Sequence, residues 1–358
     1  MYSKKYDKTY EKLKVLVTGT TGFKGSWLVL WLNMLNAKVV GVALKPEKNS
    51  FIFKSMNLDK NIKQYYLDIS NFNKLDSVIK KEKPDIVFHL AAQSVVSESY
   101  NKPLETINTN VIGSLNVLES CRLNKIFKLV LITSDKCYFN KEIKRGYKEE
   151  DELGGHDVYS SSKAAVENIF YSYNESFFKD TEVKAVTARA GNVIGGGDFK
   201  KNRIVPDIAR SIQKKKTLYI RNPNSTRPWQ HVLEPVSGYL KIGELILNNK
   251  LKEVYPSYNF GPHQKNCKNV KHIMNLILSD WKERPRKIII KKDFKFRESK
   301  LLSLNISKAK KELKWEPTLS LNDTIKYTVD WYKTFFKSFY MKKFSENQIE
   351  KFINYEKN

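Results

Sequence analysis

Thr18-Gly19-Thr20-Thr21-Gly22-Phe23-Lys24-Gly25 separates a short apolar run at 15–17 from an apolar-rich run at 26–36, and its reading decides the fold. Glycines at this spacing permit a tight turn, a close backbone approach to a pyrophosphate and close packing of the next helix, whose first N–H groups face the anion. A glycine trio alone says little. Its meaning comes from standing between a strand and a helix at the head of an alternating chain.

That alternation continues. Strand-like runs at 39–43, 62–67, 85–90, 128–133 and 184–189 are separated by helical patterns at 75–81, 103–123 and 158–178. Short β-branched runs between helices predict an α/β fold: a Rossmann-type doubly wound parallel sheet with helices on both faces. After Gly191 glycines cluster, strands shorten and Pro, Arg and Trp become frequent. The expected division is a dinucleotide-binding domain over 1–190 and a smaller C-terminal substrate lobe over 191–358, part of which returns to the first domain. The tail 332–358 has neither glycine nor proline and reads as one terminal helix.

Composition narrows the function. The chain has 358 residues, 41% apolar and 28% charged, which is ordinary for a globular protein. Its 64 Lys+Arg against 38 Asp+Glu leave a formal charge of +26. Only 10 of these cations are Arg, the residue that base reading and bidentate phosphate contact favour, so a solvated basic surface is expected and not a nucleic-acid partner. Cys121, Cys137 and Cys267 have no paired spacing, which predicts neither a disulfide framework nor a metal site and suits a reducing cytoplasm. No signal-peptide core follows Met1, and the longest apolar stretch, 27–35, is too short to span a bilayer.

Around the glycine loop, Gly19, Thr21, Gly22, Phe23 and Gly25 are the expected cofactor cradle. Asp68, after the third strand, is placed for the adenine edge, and Leu90-Ala91-Ala92-Gln93, after the fourth, runs beside the cofactor. The second strand ends in Leu44-Lys45 with Glu47 the nearest acid, so NAD and NADP both stay open. Tyr159 and Lys163, four apart, share a helix face. An ammonium near a phenol favours the phenolate, and with Thr133 or Ser134 at a strand end the pair makes a base for hydride-transfer chemistry.

These motifs together point to an extended short-chain dehydrogenase/reductase of the sugar-nucleotide type. The segments TGTTGFKGSWL (18–28), HLAAQ (89–93), TSDKCY (133–138), LGGHDVYSSSK (153–163), ARAGNVIGGGDF (188–199) and IRNPNSTRPWQHVLEPVSGYL (220–240) closely resemble the CDP-glucose 4,6-dehydratase family, and similarity continues through 302–317 and 328–333. The most discriminating piece is Ser134-Asp135-Lys136: most nucleotide-sugar 4,6-dehydratases carry Asp-Glu here, the CDP-glucose enzymes Asp-Lys, and related epimerases as a rule no acid.

The resemblance implies an NAD-dependent lyase of deoxysugar and polysaccharide biosynthesis that converts CDP-glucose to its 4-keto-6-deoxy product. It implies catalytic roles for Ser134, Asp135, Lys136, Tyr159 and Lys163, with Thr133, Tyr159 and Lys163 also touching the cofactor. Lys136 stands where a Glu usually removes the C5 proton, and acts either as a neutral amine or electrostatically. Arg227 matches the position that meets the diphosphate, joined by Asn192, Arg203 and Arg297. Arg221 reads as a surface charge, and Trp229 and His231 as packing. A homodimer through the helices 103–123 and 158–178 is implied, although their apolar positions could equally face their own sheet. The alternatives are another nucleoside-diphosphate hexose or heptose, a 4-epimerase, or a silent NAD-sensing or nucleic-acid-binding Rossmann protein, which would be expected to lack Tyr159, Lys163 or Asp135.

Overall fold

In the computed structural model, residues 8–48, 50–179, 181–251, 256–290 and 300–355 are described. Six strands follow in chain order: β1 (Lys14–Thr18), β2 (Lys38–Ala43), β3 (Lys63–Tyr66), β4 (Ile86–His89), β5 (Lys128–Ile132) and β6 (Lys184–Ala190). With the later strand Ser257–Phe260 they form one seven-stranded sheet, in the order Ser257–Phe260, β6, β5, β4, β1, β2, β3, with every neighbouring pair parallel. The doubly wound fold expected from the sequence is present. The order reverses between β1 and β4, and such a reversal opens a crevice at the carboxyl ends of the strands.

Apart from the edge strand β3, the strands are buried on both faces, and their period-two alternation divides the interior in two. Val15, Val17, Ile86, Phe88 and Val130 point into one core, whereas Leu16, Val87, Leu129 and Leu131 point into the other. The first core is completed by the helix Phe23–Met34, where Trp27 through Leu32 are all fully buried. A helix apolar on every side needs cover on every side. The sheet covers one face and the C-terminal helices the other.

The expected single helix over 332–358 is corrected to two, Leu321–Lys337 and Lys342–Tyr355, and residues 356–358 lie outside the described part. At the break the Met341 N–H donates to the Ser55 carbonyl (2.7 Å). That turn brings Phe352 edge-on to Trp31, with ring centres 5.9 Å apart. Each of the two long helices expected at 103–123 and 158–178 contains a wider π-type turn, at Asn108–Ile112 and Asn174–Phe178. After residue 191, three two-stranded ribbons and the helices Ile204–Gln213, Leu233–Leu247 and Val270–Trp281 accompany the strand that rejoins the main sheet.

Phe352 is fully buried and far in sequence from the glycine loop. Phe352→Ala is expected to cost about 3–5 kcal/mol, read as a lower urea midpoint at unchanged slope.

Candidate active site

Gly19 adopts φ +76°, and a Cβ there would lie 2.7 Å from the Ala91 nitrogen. Only glycine fits both the turn and this backbone contact. The helix it leads into begins at Gly22 without a side-chain cap and without an acid in its first turn. An uncapped amide terminus beside a cradle closed to side chains fits the pyrophosphate of a dinucleotide. Thr21 donates its hydroxyl to the Leu44 carbonyl (3.1 Å) and so fastens the loop to the end of β2. Asp68 is exposed and accepts from the Ser70 N–H (2.8 Å).

The Thr18 hydroxyl oxygen accepts from the Leu90 and Ala91 N–H groups (3.0 and 3.1 Å) and faces His89 Nδ1 at 2.7 Å. With its oxygen occupied by two donors, the hydroxyl gives its own proton to Nδ1, so His89 Nε2–H donates to Ser114 (2.9 Å). Burial holds the His89 pKa down near about 3, which keeps the ring neutral. Ser114 donates on to the Asn110 carbonyl, and the Asn110 amide donates to Ser162 on the helix Val158–Tyr173. Gln93 spends its side chain on Val95 and Thr106. Ala92 lies beside it, half-buried.

A cavity of about 380 Å³ opens at the carboxyl ends of the strands, and Ser134, Asp135, Lys136 and Tyr159 line it together. Asp135 is fully buried. Its Oδ1 accepts from the Ser134 hydroxyl (3.0 Å) and pairs with Lys136 Nζ (3.3 Å), while Oδ2 has no partner. Gly191 makes room for this oxygen: a Cβ there would stand 1.8 Å from Oδ2. Burial pushes the Tyr159 phenol up to about 12, and a hydrogen bond with Ser134 and the charge of Arg203 pull it back. One hydroxyl, that of Ser134, therefore touches both the phenol and the carboxyl. Burial takes Lys163 down to about 8, opposed by the charge of Glu167. Thr133 is buried and donates to Glu167.

From the second lobe, Asn192, Arg203, Arg221 and Arg227 reach the same cavity. Arg203 spans from Asp198 (2.9 Å) to the Ser94 carbonyl and hydroxyl (both 3.0 Å). Arg221, expected on the surface, lines the cavity beside Arg227, which lies on the ribbon strand Thr226–Pro228. Arg297 falls outside the described residues. Trp229 donates to the Lys268 carbonyl (2.8 Å) and, unlike the packing residue expected, also lines the cavity, whereas His231 is fully buried beside Trp27 and Tyr327. Among the described residues no cluster of potential metal ligands occurs.

Lys24 was missed. It lines the cavity from the glycine loop, its Nζ 3.4 Å from the Tyr239 hydroxyl. Burial and the charges of Lys163 and Arg203 lower its pKa from 10.5 to about 7, against the pull of Asp135. Between pH 7 and 10.5 the unfolded chain binds this proton more firmly, so the contribution of Lys24 to stability grows with rising pH and is lost as pH falls through 7. Lys24→Met is expected to raise Tm at pH 7, with a gain that fades toward pH 10.5 in thermal scans.

The family model described as GDP-mannose 4,6 dehydratase matches residues 16–328. The chain is 39% identical to CDP-glucose 4,6-dehydratase of Salmonella typhimurium over 95% of this chain and 96% of that protein. Among solved structures it is similar to dTDP-glucose 4,6-dehydratase of Bacillus anthracis in complex with NAD (TM-score 0.75, 23% identity, 90% of this chain and 97% of that one). It is also similar to UDP-glucose 4-epimerase of Thermotoga maritima with UDP-glucose (TM-score 0.78, 22% identity, 90% and 99%). With a fold, a glycine cradle and a family match that span most of its length, the chain belongs to the GDP-mannose 4,6 dehydratase family.

Proposed function

We propose that this chain is a CDP-glucose 4,6-dehydratase, an NAD-dependent hydro-lyase that forms CDP-4-keto-6-deoxy-glucose and water. The observation that carries the reading is the buried Asp135, held with one free oxygen toward Gly191 and joined through Ser134 to Tyr159. The 39% identity to the Salmonella enzyme over nearly the full length supports the nucleotide and the sugar. What NAD supplies, when bound along the glycine loop and the Leu90-Ala91-Ala92 segment, is a place for a hydride to be lent and returned. NAD is favoured over NADP by the NAD complex of the related Bacillus anthracis dehydratase.

The residues divide the remaining work. Tyr159 takes the proton of the C4 hydroxyl as phenolate, a form that burial opposes and that Ser134 and Arg203 favour. A ketone at C4 acidifies the C5 proton. Loss of that proton with departure of the C6 hydroxyl as water needs an acid at C6, and Asp135 in its protonated form supplies it. Lys136, paired with Asp135, takes the C5 proton, stabilises with its charge the enolate that builds at C4 and C5, and gives the proton back to C5 as the hydride returns to C6. Arg227, Arg221 and Arg203, with Asn192, offer donors to the diphosphate.

A homodimer through the two long helices is also proposed. Leu118, Val166 and Phe170 face their own sheet, whereas Leu104, Ile107, Ile112 and Tyr171 are exposed. Such a stripe suits burial against a second copy. A cytoplasmic setting agrees with three free cysteines, two of them buried, and with the absence among the described residues of any helix long and apolar enough to cross a membrane.

Incubated with CDP-, dTDP-, GDP- and UDP-sugars, the protein is expected to give the alkaline absorbance of a 4-keto-6-deoxy product from CDP-glucose. Product from none of them overturns the reading. Tyr159→Phe and Asp135→Asn should each lower product formation by at least ~10²-fold while CDP-glucose affinity changes by less than ~3-fold. Leu104→Asp combined with Ile112→Asp should bring the mass in light scattering down from two chains to one chain of 41.8 kDa.

A further inference from the structure

Glu167 stands one helical turn beyond Lys163 and two beyond Tyr159, so the three side chains share one face of the helix Val158–Tyr173. It is buried, with 2% exposure. Its Oε1 accepts from the Thr133 hydroxyl at the end of β5, next to Ser134 and Asp135. Its Oε2 accepts from the Thr187 hydroxyl and from Arg189 Nη2, both at 2.8 Å and both on β6. Arg189 is itself buried and donates to the Tyr138 hydroxyl (2.8 Å) and the Glu149 carbonyl (2.9 Å). Burial alone would raise the Glu167 pKa, but Arg189 and the two threonine hydroxyls bring it below its ordinary value, so the carboxylate is charged.

A buried ion pair gives little stability that apolar side chains could not, because desolvation offsets the attraction. This one instead touches both elements that carry the catalytic groups. We propose that Glu167 is a positioning residue of the centre: its carboxylate fixes the strand end bearing Ser134 and Asp135 against the helix bearing Tyr159 and Lys163, and sets a negative charge behind the Lys163 ammonium. The catalytic part of this inference rests on the dehydratase reading.

The groups around Lys163 leave Glu167 as its main support. Lys24 approaches from the helix Phe23–Met34 and repels it, His89 at the end of β4 is neutral, and Cys137, in the turn after Asp135, adds a smaller contribution of the same sign as Glu167. Burial has already taken Lys163 down to about 8, so loss of the Glu167 charge, which also leaves Arg189 unopposed, moves it further from the ammonium.

The test is the titration of Lys163 followed by NMR of ¹³Cε-labelled lysine, assigned by comparison with Lys163→Met. This readout does not depend on turnover. Glu167→Gln is expected to lower the Lys163 midpoint by about one pH unit or more, and Glu167→Asp, whose shorter side chain draws the charge away, by about a third to a half of that. In CDP-glucose assays the Gln variant should lose at least about tenfold in kcat with little change in KM, and the alkaline limb of kcat/KM should move to lower pH. Thr187→Val, which removes a hydrogen bond from the same carboxylate and leaves its charge, should lower Tm without moving the midpoint. A midpoint unmoved in Glu167→Gln overturns the proposal. If the Gln variant does not fold, a parental midpoint together with a parental kcat in Glu167→Asp does so. A shifted midpoint in a protein that makes no product from CDP-glucose would instead sink the dehydratase reading and leave the placement of Glu167 standing.

Discussion

Beyond the ladder that pairs β1 with β4, one hydroxyl ties the two strand ends together. Thr18 takes two amide protons from the chain leaving β4 and gives its own to His89, joining the two strands where the order of the sheet reverses. Parallel strands on either side of a reversal send their connections to opposite faces, so their ends tend to part. Here that parting becomes a cleft of fixed width, with the glycine loop on one lip and the Leu90-Ala91 segment on the other. Because the ring of His89 is neutral and its tautomer fixed, the same hydrogen bonds run on through Ser114 and Asn110 to the catalytic helix. Cofactor cradle and phenol are parts of one rigid network.

Much of this was legible in the sequence because it is local. Strand-loop-helix punctuation around Gly19, Gly22 and Gly25, the short apolar and β-branched runs between helices, and the four-residue spacing of Tyr159 and Lys163 depend only on neighbours. Ser134 was legible because it directly follows a strand end, whereas Asp135 and Lys136 were read from the family resemblance of Ser134-Asp135-Lys136. What escaped depends on distant chain. Glu167 looks like an exposed helical carboxylate until Arg189 on β6 is brought beneath it. Arg221 resembles any loop arginine until the ribbons of the second lobe turn it inward. Lys24, inside a glycine motif, gave a visible signal, a cation where a helix N-terminus disfavours one, but its burial comes from Tyr239, more than two hundred residues on. The break before Met341 has no glycine or proline to announce it, since a backbone contact with Ser55 makes it.

The formal charge of +26 takes on a more specific meaning around the cavity. Lys24, Lys136, Arg203, Arg221 and Arg227 surround a space that also holds Asp135, Asp198 and Asp207. A site that gathers so many cations is electrostatically strained when empty and relieved by an anion with two phosphates. Burial first, and then the neighbouring charges of Lys163, Arg203 and Lys136, take Lys24 down to about 7. The other lysines are largely solvated and contribute a long-range field more than any contact.

The contact between Trp31 and Phe352 bears on how the protein is made. The helix that follows the glycine loop precedes most of the described elements in chain order, and it is apolar on every side. Part of its cover is the helix Lys342–Tyr355, so the shielding of Trp31 is complete only once residue 352 has been synthesised. Until then the nascent chain presents a greasy helix, a segment that invites chaperone capture and association between neighbouring nascent chains. For this protein, the helix behind the glycine loop depends for its cover on a segment far along the chain.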